Sequence, residues 1–437
     1  MDNKNNPDEE KFNELLVCYE QQDYDKSSKL AKLITEEFPS HQLAWKIFGV
    51  SLQQLGKLSE AVSANIKAVN LKVNDYEAHN NLGFSYLASG DPKLAEKSFR
   101  DAINLNPKYE GAYNNLGIAQ KRLGELRKAE KSFKKAILLN SGYAQAYKNL
   151  SSILHDLGKT EEAFVNCRKA IDINPMYINA FWNLSSFSQN IEESRYWIEK
   201  CLAVDPKYLN AILMNAALSF YQGQKSSFLE LKKSKLKDHY FMRSFQWVFD
   251  LPYLPKIYFN KWHLLDDVIK QSILSRPFYE FGVWKGLSFK YLKKYYSKGY
   301  GFDVFTGLPE DWKVGNYTER SGSYSSEGKI PTIVGGEFIK GKFEDTLPVF
   351  FSKKRPLASI CNFDADLYSS THTALTYARS VIDSKTILIF DELIMTESWE
   401  NDEFRALNEF CIKNNYTYEV IAVSFFTKQV ALKLKGF

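Results

Sequence analysis

Residues Phe278 to Phe305 read FYEFGVWKGLSFKYLKKYYSKGYGFDVF. Apolar Phe278, Tyr279 and Phe281 form a strand-like run, Gly282 and Gly286 follow, Ser288 to Tyr296 recur at helical spacing, and a second apolar run reaches Asp303. The order is strand, glycine turn, helix, strand, acid. A glycine at such a turn lets the backbone approach a ligand, and the helix start aims unpaired N–H groups at the same spot. An acid at the tip of the next strand, 21 residues after Gly282, can accept both hydroxyls of a ribose. The stretch reads as a nucleoside-cofactor pocket.

The spacing of the turn narrows the cofactor. A dinucleotide fingerprint is G-x-G-x-x-G, its second glycine making room for a pyrophosphate. Here Glu280-x-Gly282-x-x-x-Gly286 puts an acid first and has no second close glycine. An acid repels a pyrophosphate and suits a cation. The pattern is similar to the first motif of class I methyltransferases that use S-adenosylmethionine, whose sulfonium and amino groups are positive. A glycine turn before a helix can also be only a turn.

A chain of 437 residues suits two or three domains. Its 44% hydrophobic and 25% charged fractions are those of globular protein. Lys+Arg 57 against Asp+Glu 52 leaves a net charge of only +5, spread along the chain. Nothing in that balance calls for nucleic acid or a membrane surface. The five cysteines (Cys18, Cys167, Cys201, Cys361, Cys411) are far apart with no C-x-x-C pair, which argues for a reducing compartment and against zinc. The polar N-terminus MDNKNNPDEEK is unlike a signal peptide, and no apolar run approaches the ~18 residues of a membrane helix. The expectation is a cytoplasmic protein.

The N-terminal half is periodic. Gly56, Gly90, Gly124 and Gly158 are each 34 apart, as are Ala61, Ala95, Ala129 and Ala163, and Gly49, Gly83, Gly117, Ser151 and Ser185. Pro39, Pro107 and Pro175 keep the phase, with Val73 and Ser141 where the intervening prolines would stand. A sixth unit around Ala211 to Gln222 follows a shortened step from Pro175 to Pro206. Small residues at helix crossings, glycine ending the first helix and proline closing the second make a unit that resembles the tetratricopeptide repeat (TPR). The resemblance covers about residues 8 to 222 and implies a right-handed superhelix with a concave groove that takes a peptide or protein. Asn81, Asn115, Asn149 and Asn183 recur once per repeat. They resemble the asparagine ladder of the O-linked N-acetylglucosamine transferases, which can hold a peptide backbone; bonding within their own helix hairpins is the other reading. Tyr113, Tyr147, Phe181 and His79 form a second column of packing character.

Residues 223–244 read as a capping or connecting helix, and LPYLP at 251–255 as a break. After Asp303, residues 304–331 carry no apolar period and read as a lid. Strands are expected at Thr332 to Gly335, Leu357 to Phe363 and Thr386 to Phe390, with a loop and helix in GKFEDTLPVFF. Asp364 and Asp366 then follow one strand end, and Asp391 and Glu392 the next. In an open parallel sheet, ligands sit beyond the carboxyl ends of the strands. Crowded carboxylates call for a proton or a cation, and oxygen-only ligands suit Mg²⁺ or Ca²⁺. Alternatively one acid caps a helix and another pairs with a basic residue such as Arg405.

The motifs EFGVWKGLS, GFDVFTGLPEDW, GKFEDTLP, FDADLYSS and FDE, in this order over residues 245–437, are similar to the macrocin O-methyltransferase-like family, which includes macrolide-sugar O-methyltransferases of the class I fold. That resemblance implies S-adenosylmethionine at the first motif, with Glu280, Gly282, Gly286, Ser288 and Asp303 as cofactor contacts. It implies Mg²⁺ held by Asp364, Asp391 and Glu392, with Asp364 also taking the hydroxyl proton. Phe343 packs either on the cofactor or in the core, and His372 is a second base candidate or a packed helix residue. Glu392 stands where the sugar-modifying members have Asp, and Asn362 where histidine is frequent. The implied reaction is O-methylation of a sugar or sugar-bearing acceptor, aided by chelation of a diol and by positioning.

The tail TYEVIAVSFFTKQVALKLK reads as two antiparallel strands, the ending of the class I methyltransferase fold. The expected architecture is therefore multidomain. An all-α TPR superhelix spans 1–222, the connecting helix 223–244, and an α/β Rossmann-like methyltransferase domain 245–437. Two other readings remain. One is a repeat scaffold with a catalytically silent nucleoside-binding domain; the other is an NAD(P)-dependent oxidoreductase, disfavoured by the glycine spacing and the antiparallel tail.

Overall fold

The computed structural model describes residues 7–315 and 317–436. The chain forms two compact units, Met1–Pro175 and Met176–Phe437. The break falls earlier than the end of the periodic pattern at 222, so the last repeat-like helices cluster with the C-terminal residues.

The first unit is a series of helical hairpins: α1 (Glu9–Glu20) with α2 (Tyr24–Glu37), α3 (Gln42–Gln54) with α4 (Leu58–Leu71), α5 (Tyr76–Ala88) with α6 (Pro92–Leu105), α7 (Glu110–Arg122) with α8 (Leu126–Leu139), and α9 (Ala144–Asp156) with α10 (Thr160–Ile173). Asp8, Asp23, Asp75 and Asp91 cap helix starts through their carboxylates, each satisfying a backbone N–H that has no partner inside the helix. The periodic glycines end the first helix of each hairpin at φ +73°, +87°, +65° and +73° for Gly56, Gly90, Gly124 and Gly158, a region that a Cβ disfavours.

The crossings explain the small-residue column. A Cβ on Gly83 would meet the Phe99 ring at 2.7 Å, and one on Gly117 the Phe133 ring at 2.6 Å. Both rings are buried, so glycine and phenylalanine fill one volume between them. At the same two columns of the later repeats the pair becomes Ser151 with Cys167 and Ser185 with Cys201, all buried. Some side-chain volume has passed from one helix to the other.

The second unit opens with α11 (Ile178–Phe187), α12 (Ile191–Val204) and α13 (Leu209–Tyr221). The ten residues of α11, against thirteen in α9, account for the shortened step. The expected connecting helix is two helices, α14 (Ser226–Lys233) and α15 (Tyr240–Phe249), parted by a short 3₁₀ turn. Phe220 of α13 stacks on Phe249 at 4.4 Å, and the Tyr221 hydroxyl donates to the Pro255 carbonyl at 2.9 Å.

An eight-stranded sheet follows. Its members are β1 (Lys256–Tyr258), β2 (Phe278–Phe281), β3 (Gly299–Asp303), β6 (Gly336–Lys340), β7 (Ile360–Phe363), β8 (Ile387–Phe390), β9 (Thr417–Ser424) and β10 (Val430–Lys435), while β4 (Trp312–Val314) and β5 (Tyr317–Glu319) form a separate hairpin. The order is β1-β9-β10-β8-β7-β2-β3-β6, parallel throughout except for β10, which runs antiparallel to both neighbours. Helices α16 (Lys261–Lys270), α17 (Leu287–Leu292), α18 (Phe343–Phe351), α19 (Tyr368–Ala378) and α20 (Glu403–Asn414) complete the unit.

Three expectations are revised. The strand placed at Thr332 to Gly335 begins instead at Gly336, after a turn in which Gly335 takes φ +76°. The stretch read as a lid without apolar period contains the short β4–β5 hairpin. The helix after the glycine turn is only six residues long, too short to present a substantial dipole.

Candidate functional site

The site is built on one rung of the sheet. Phe302, Phe281, Phe363 and Phe390 lie side by side in register across β3, β2, β7 and β8. Their rings stack at 5.1, 5.1 and 4.9 Å with interplanar angles of 8°, 11° and 13°. The next residue on each strand is Asp303, Gly282, Asp364 and Asp391. Side chains alternate across a sheet, so a continuous aromatic row buried on one face requires the following row to serve the other. All four of those residues line a cavity of about 290 Å³.

Gly282 sits at φ +88°, and a Cβ there would lie 1.8 Å from the Asp364 carbonyl oxygen. The glycine is therefore dictated first by the close approach of β7, whatever ligand comes later. Asp303 closes the turn: its Oδ2 accepts from the Val283 and Trp284 amides at 2.7 and 2.6 Å, and Oδ1 from the Phe305 amide at 2.5 Å. A carboxylate has about four acceptor positions. Three are taken by backbone amides. Trp284, Phe305 and Asp366 adopt φ of +48°, +61° and +60°, and such strained residues concentrate at functional sites.

Carboxylates crowd the other wall. Burial pushes the Asp364 carboxyl well above its ordinary value, and the charges of Asp391 and Asp366 push it further. Asp366 is raised by burial and then by Glu392 and Asp391. Glu392 is raised by burial, against which Lys428 pulls down. Glu403, at the start of α20, is 1% exposed and accepts from the Glu392 amide at 3.2 Å, while its Oε1 has no hydrogen-bond partner. Burial and the charge of Asp366 raise it well above the usual range.

Two residues of the β9–β10 turn answer these acids. Lys428 Nζ donates to Glu392 Oε1 at 2.8 Å, and Gln429 Nε2 to Asp391 Oδ1 at 2.7 Å. Arg405, the basic partner suggested by sequence, pairs with Glu409 instead. Among the described residues, no group of three or more His, Cys, Asp or Glu side chains is disposed to hold a metal ion. Asp364, Asp391 and Glu392 share the cavity, but as disposed they do not close around one cation.

Of the residues singled out from sequence, Gly282, Ser288, Asp303, Phe343, Asp364, Asp391 and Glu392 line the cavity. Phe343 does so while packing edge-on to Phe281 at 6.1 Å. Glu280, Gly286 and His372 are not in the lining. Glu280 is 1% exposed, its Oε2 is unpartnered, and burial raises its carboxyl well above the ordinary value. His372 stacks on Tyr368 at 5.7 Å. Lining residues that sequence reasoning missed include Lys261, Trp284 and Tyr324. Neither these nor Glu403 had a usable signal, since an acid in the first turn of a helix ordinarily only complements its dipole.

In the first unit, Asn115 Nδ2 donates to Asn80 Oδ1 at 3.0 Å, and Asn149 Nδ2 to Asn114 Oδ1 at 2.9 Å. Two members of the asparagine column thus bond to the preceding repeat. Asn81 is half-buried on α5, and Asn183 lies on α11 of the second unit.

Models of the tetratricopeptide repeat match residues 76–109, 110–143 and 144–176. These repeats support a protein-interaction role for that stretch. No curated protein matches the chain. Among solved structures, the chain is similar to the crystal structure of MamA, at 26% identity and a TM-score of 0.33 over 37% of this chain and 96% of that one. It is similar to a thermophilic TPR protein of Thermus thermophilus, at 21% identity and a TM-score of 0.37 over 41% and 97%. It is also similar to PilW, a type IV pilus biogenesis factor, at 19% identity and a TM-score of 0.43 over 47% and 96%. Among the described residues, no helix is long and apolar enough to cross a membrane.

Proposed function

We propose that the C-terminal unit is an S-adenosylmethionine-dependent O-methyltransferase acting on a sugar or sugar-bearing acceptor, and that the repeats recruit a protein partner or substrate. The observation that carries this reading is the strand-end rung. The glycine turn and Asp303 stand beside Asp364 and Asp391 around one cavity, at the carboxyl ends of a parallel sheet. The sheet also contains a single antiparallel strand, the last in the chain, as the class I methyltransferase fold does.

The turn at Gly282 with Asp303, Ser288 and Phe343 would hold the cofactor, and the excess of carboxylates suits its positive groups. When bound, S-adenosylmethionine supplies an electrophilic methyl group on a positive sulfur. Asp364 would take the acceptor's hydroxyl proton. Burial together with its neighbours Asp391 and Asp366 raises the proton affinity of this carboxyl above that of an ordinary one, which strengthens it as a base. Leu308 and Phe343 give the lining an apolar part beside the acids.

The test is calorimetric titration of S-adenosylhomocysteine into the whole protein, with and without Mg²⁺, beside Asp303→Ala. Binding to the native protein that is lost in the variant supports the reading. Absence of binding under both conditions overturns it in favour of a repeat scaffold, a second reading that rests on the repeat matches over residues 76–176.

A further inference from the structure

The acid cluster beyond β7 and β8 has a counter-ion from within the chain. Lys428 occupies the turn between β9 and β10 with φ +69°, a left-handed backbone that a lysine adopts at some cost. That conformation accompanies the 2.8 Å bond from its ammonium to Glu392 Oε1. The adjoining Gln429 is 3% exposed and fixes Asp391 at 2.7 Å. One short turn therefore holds both acids that follow β8. Behind them, Glu403 keeps an unpartnered buried oxygen against the same group. The field of Lys428 acts on Asp366 as well as on Glu392.

We propose that the Lys428 ammonium takes the place of a divalent cation in this cluster, so that the acids are balanced by the chain itself and the site works without metal. An ammonium and a divalent ion cannot share Glu392 without strong repulsion. The lysine also carries three donors where a metal would demand about five further oxygen ligands. For its consequence on methyl transfer, the inference rests on the function proposed above; for ion binding it does not.

The experiment is electron paramagnetic resonance titration of Mn²⁺, standing in for Mg²⁺, with the whole protein. Four forms are compared: native, Lys428→Arg, Lys428→Met and Lys428→Gln, each checked for folding by circular dichroism. The expected result is no site in the native and arginine forms. In the methionine or glutamine form a saturable site appears, about tenfold or more tighter than any residual binding, and it is abolished by adding Asp391→Asn. A native-protein Mn²⁺ site that disappears with Asp391→Asn overturns the inference. So does failure of both folded neutral variants to gain a site. Because ion binding is read directly, either result leaves the S-adenosylhomocysteine titration as a separate test of the methyltransferase reading.

Discussion

Gly282 and Glu280 stand two residues apart on one strand end and have opposite reasons for being what they are. Gly282→Ala would drive a Cβ to 1.8 Å from the Asp364 carbonyl at φ +88°. The expected loss is more than about 4 kcal/mol, or no soluble protein. Gly286→Ala, at φ +72° and 3.0 Å from a flexible Ile333 side chain, should cost only about 1–2 kcal/mol; chemical denaturation of the two variants checks the difference. Glu280 carries a cost of another kind. Its carboxyl is raised in the fold by burial, so the folded protein holds a proton that the unfolded chain has released. Stability should fall as pH rises from the ordinary carboxylate value toward the raised one. Glu280→Gln should therefore raise the melting midpoint at pH 8 by about 3 °C or more and change little near pH 4. A midpoint unchanged at both pH values would remove this account. The site was legible at this scale through the acids and glycine following strands. Its deeper regularity, a phenylalanine just before each of Gly282, Asp303, Asp364 and Asp391, becomes informative only when register sets the four side by side.

At the level of elements, the helical hairpins were readable because each repeat must satisfy the same geometry, so glycine, alanine and proline return in phase. The exchange of volume across the crossing gives a direct test. Gly117→Ser should destabilise by about 1–3 kcal/mol through overpacking against Phe133. Phe133→Cys alone should leave a cavity costing about 3 kcal/mol or more. Together they recreate the Ser151 and Cys167 pair, and the double variant should lose at least about 1 kcal/mol less than the sum of the two. Additive losses in urea melts would show that the columns are independent. Elements of the second unit were less legible. The β4–β5 hairpin has three-residue strands, too short for alternation to rise above composition. The helix after Gly286 stops early, and the lysines and tyrosines of 290–296 continue a helical spacing that the backbone abandons.

For the whole molecule, the periodic sequence and the compact units part company. Helices α11 to α13 continue the repeat pattern, yet Phe220, Tyr221 and Trp182 pack within the second unit, the last at 5.0 Å from Phe426. A fragment of residues 176–437 should therefore melt cooperatively. One beginning at residue 223 strips those aromatic contacts, and its midpoint should be lower by about 5 °C or more; scanning calorimetry of both fragments decides. Periodicity could not foresee this, because a repeat records which surfaces each hairpin offers and not which neighbour takes them. The cysteines carry a last consequence. Cys18 and Cys167 lie in the first unit, Cys201, Cys361 and Cys411 in the second, and all are 5% exposed or less. A thiol reagent can reach them only through openings of the surrounding structure. Timed alkylation followed by peptide mapping would thus read five opening rates from the native protein without a single engineered probe, giving each part of the chain its own clock.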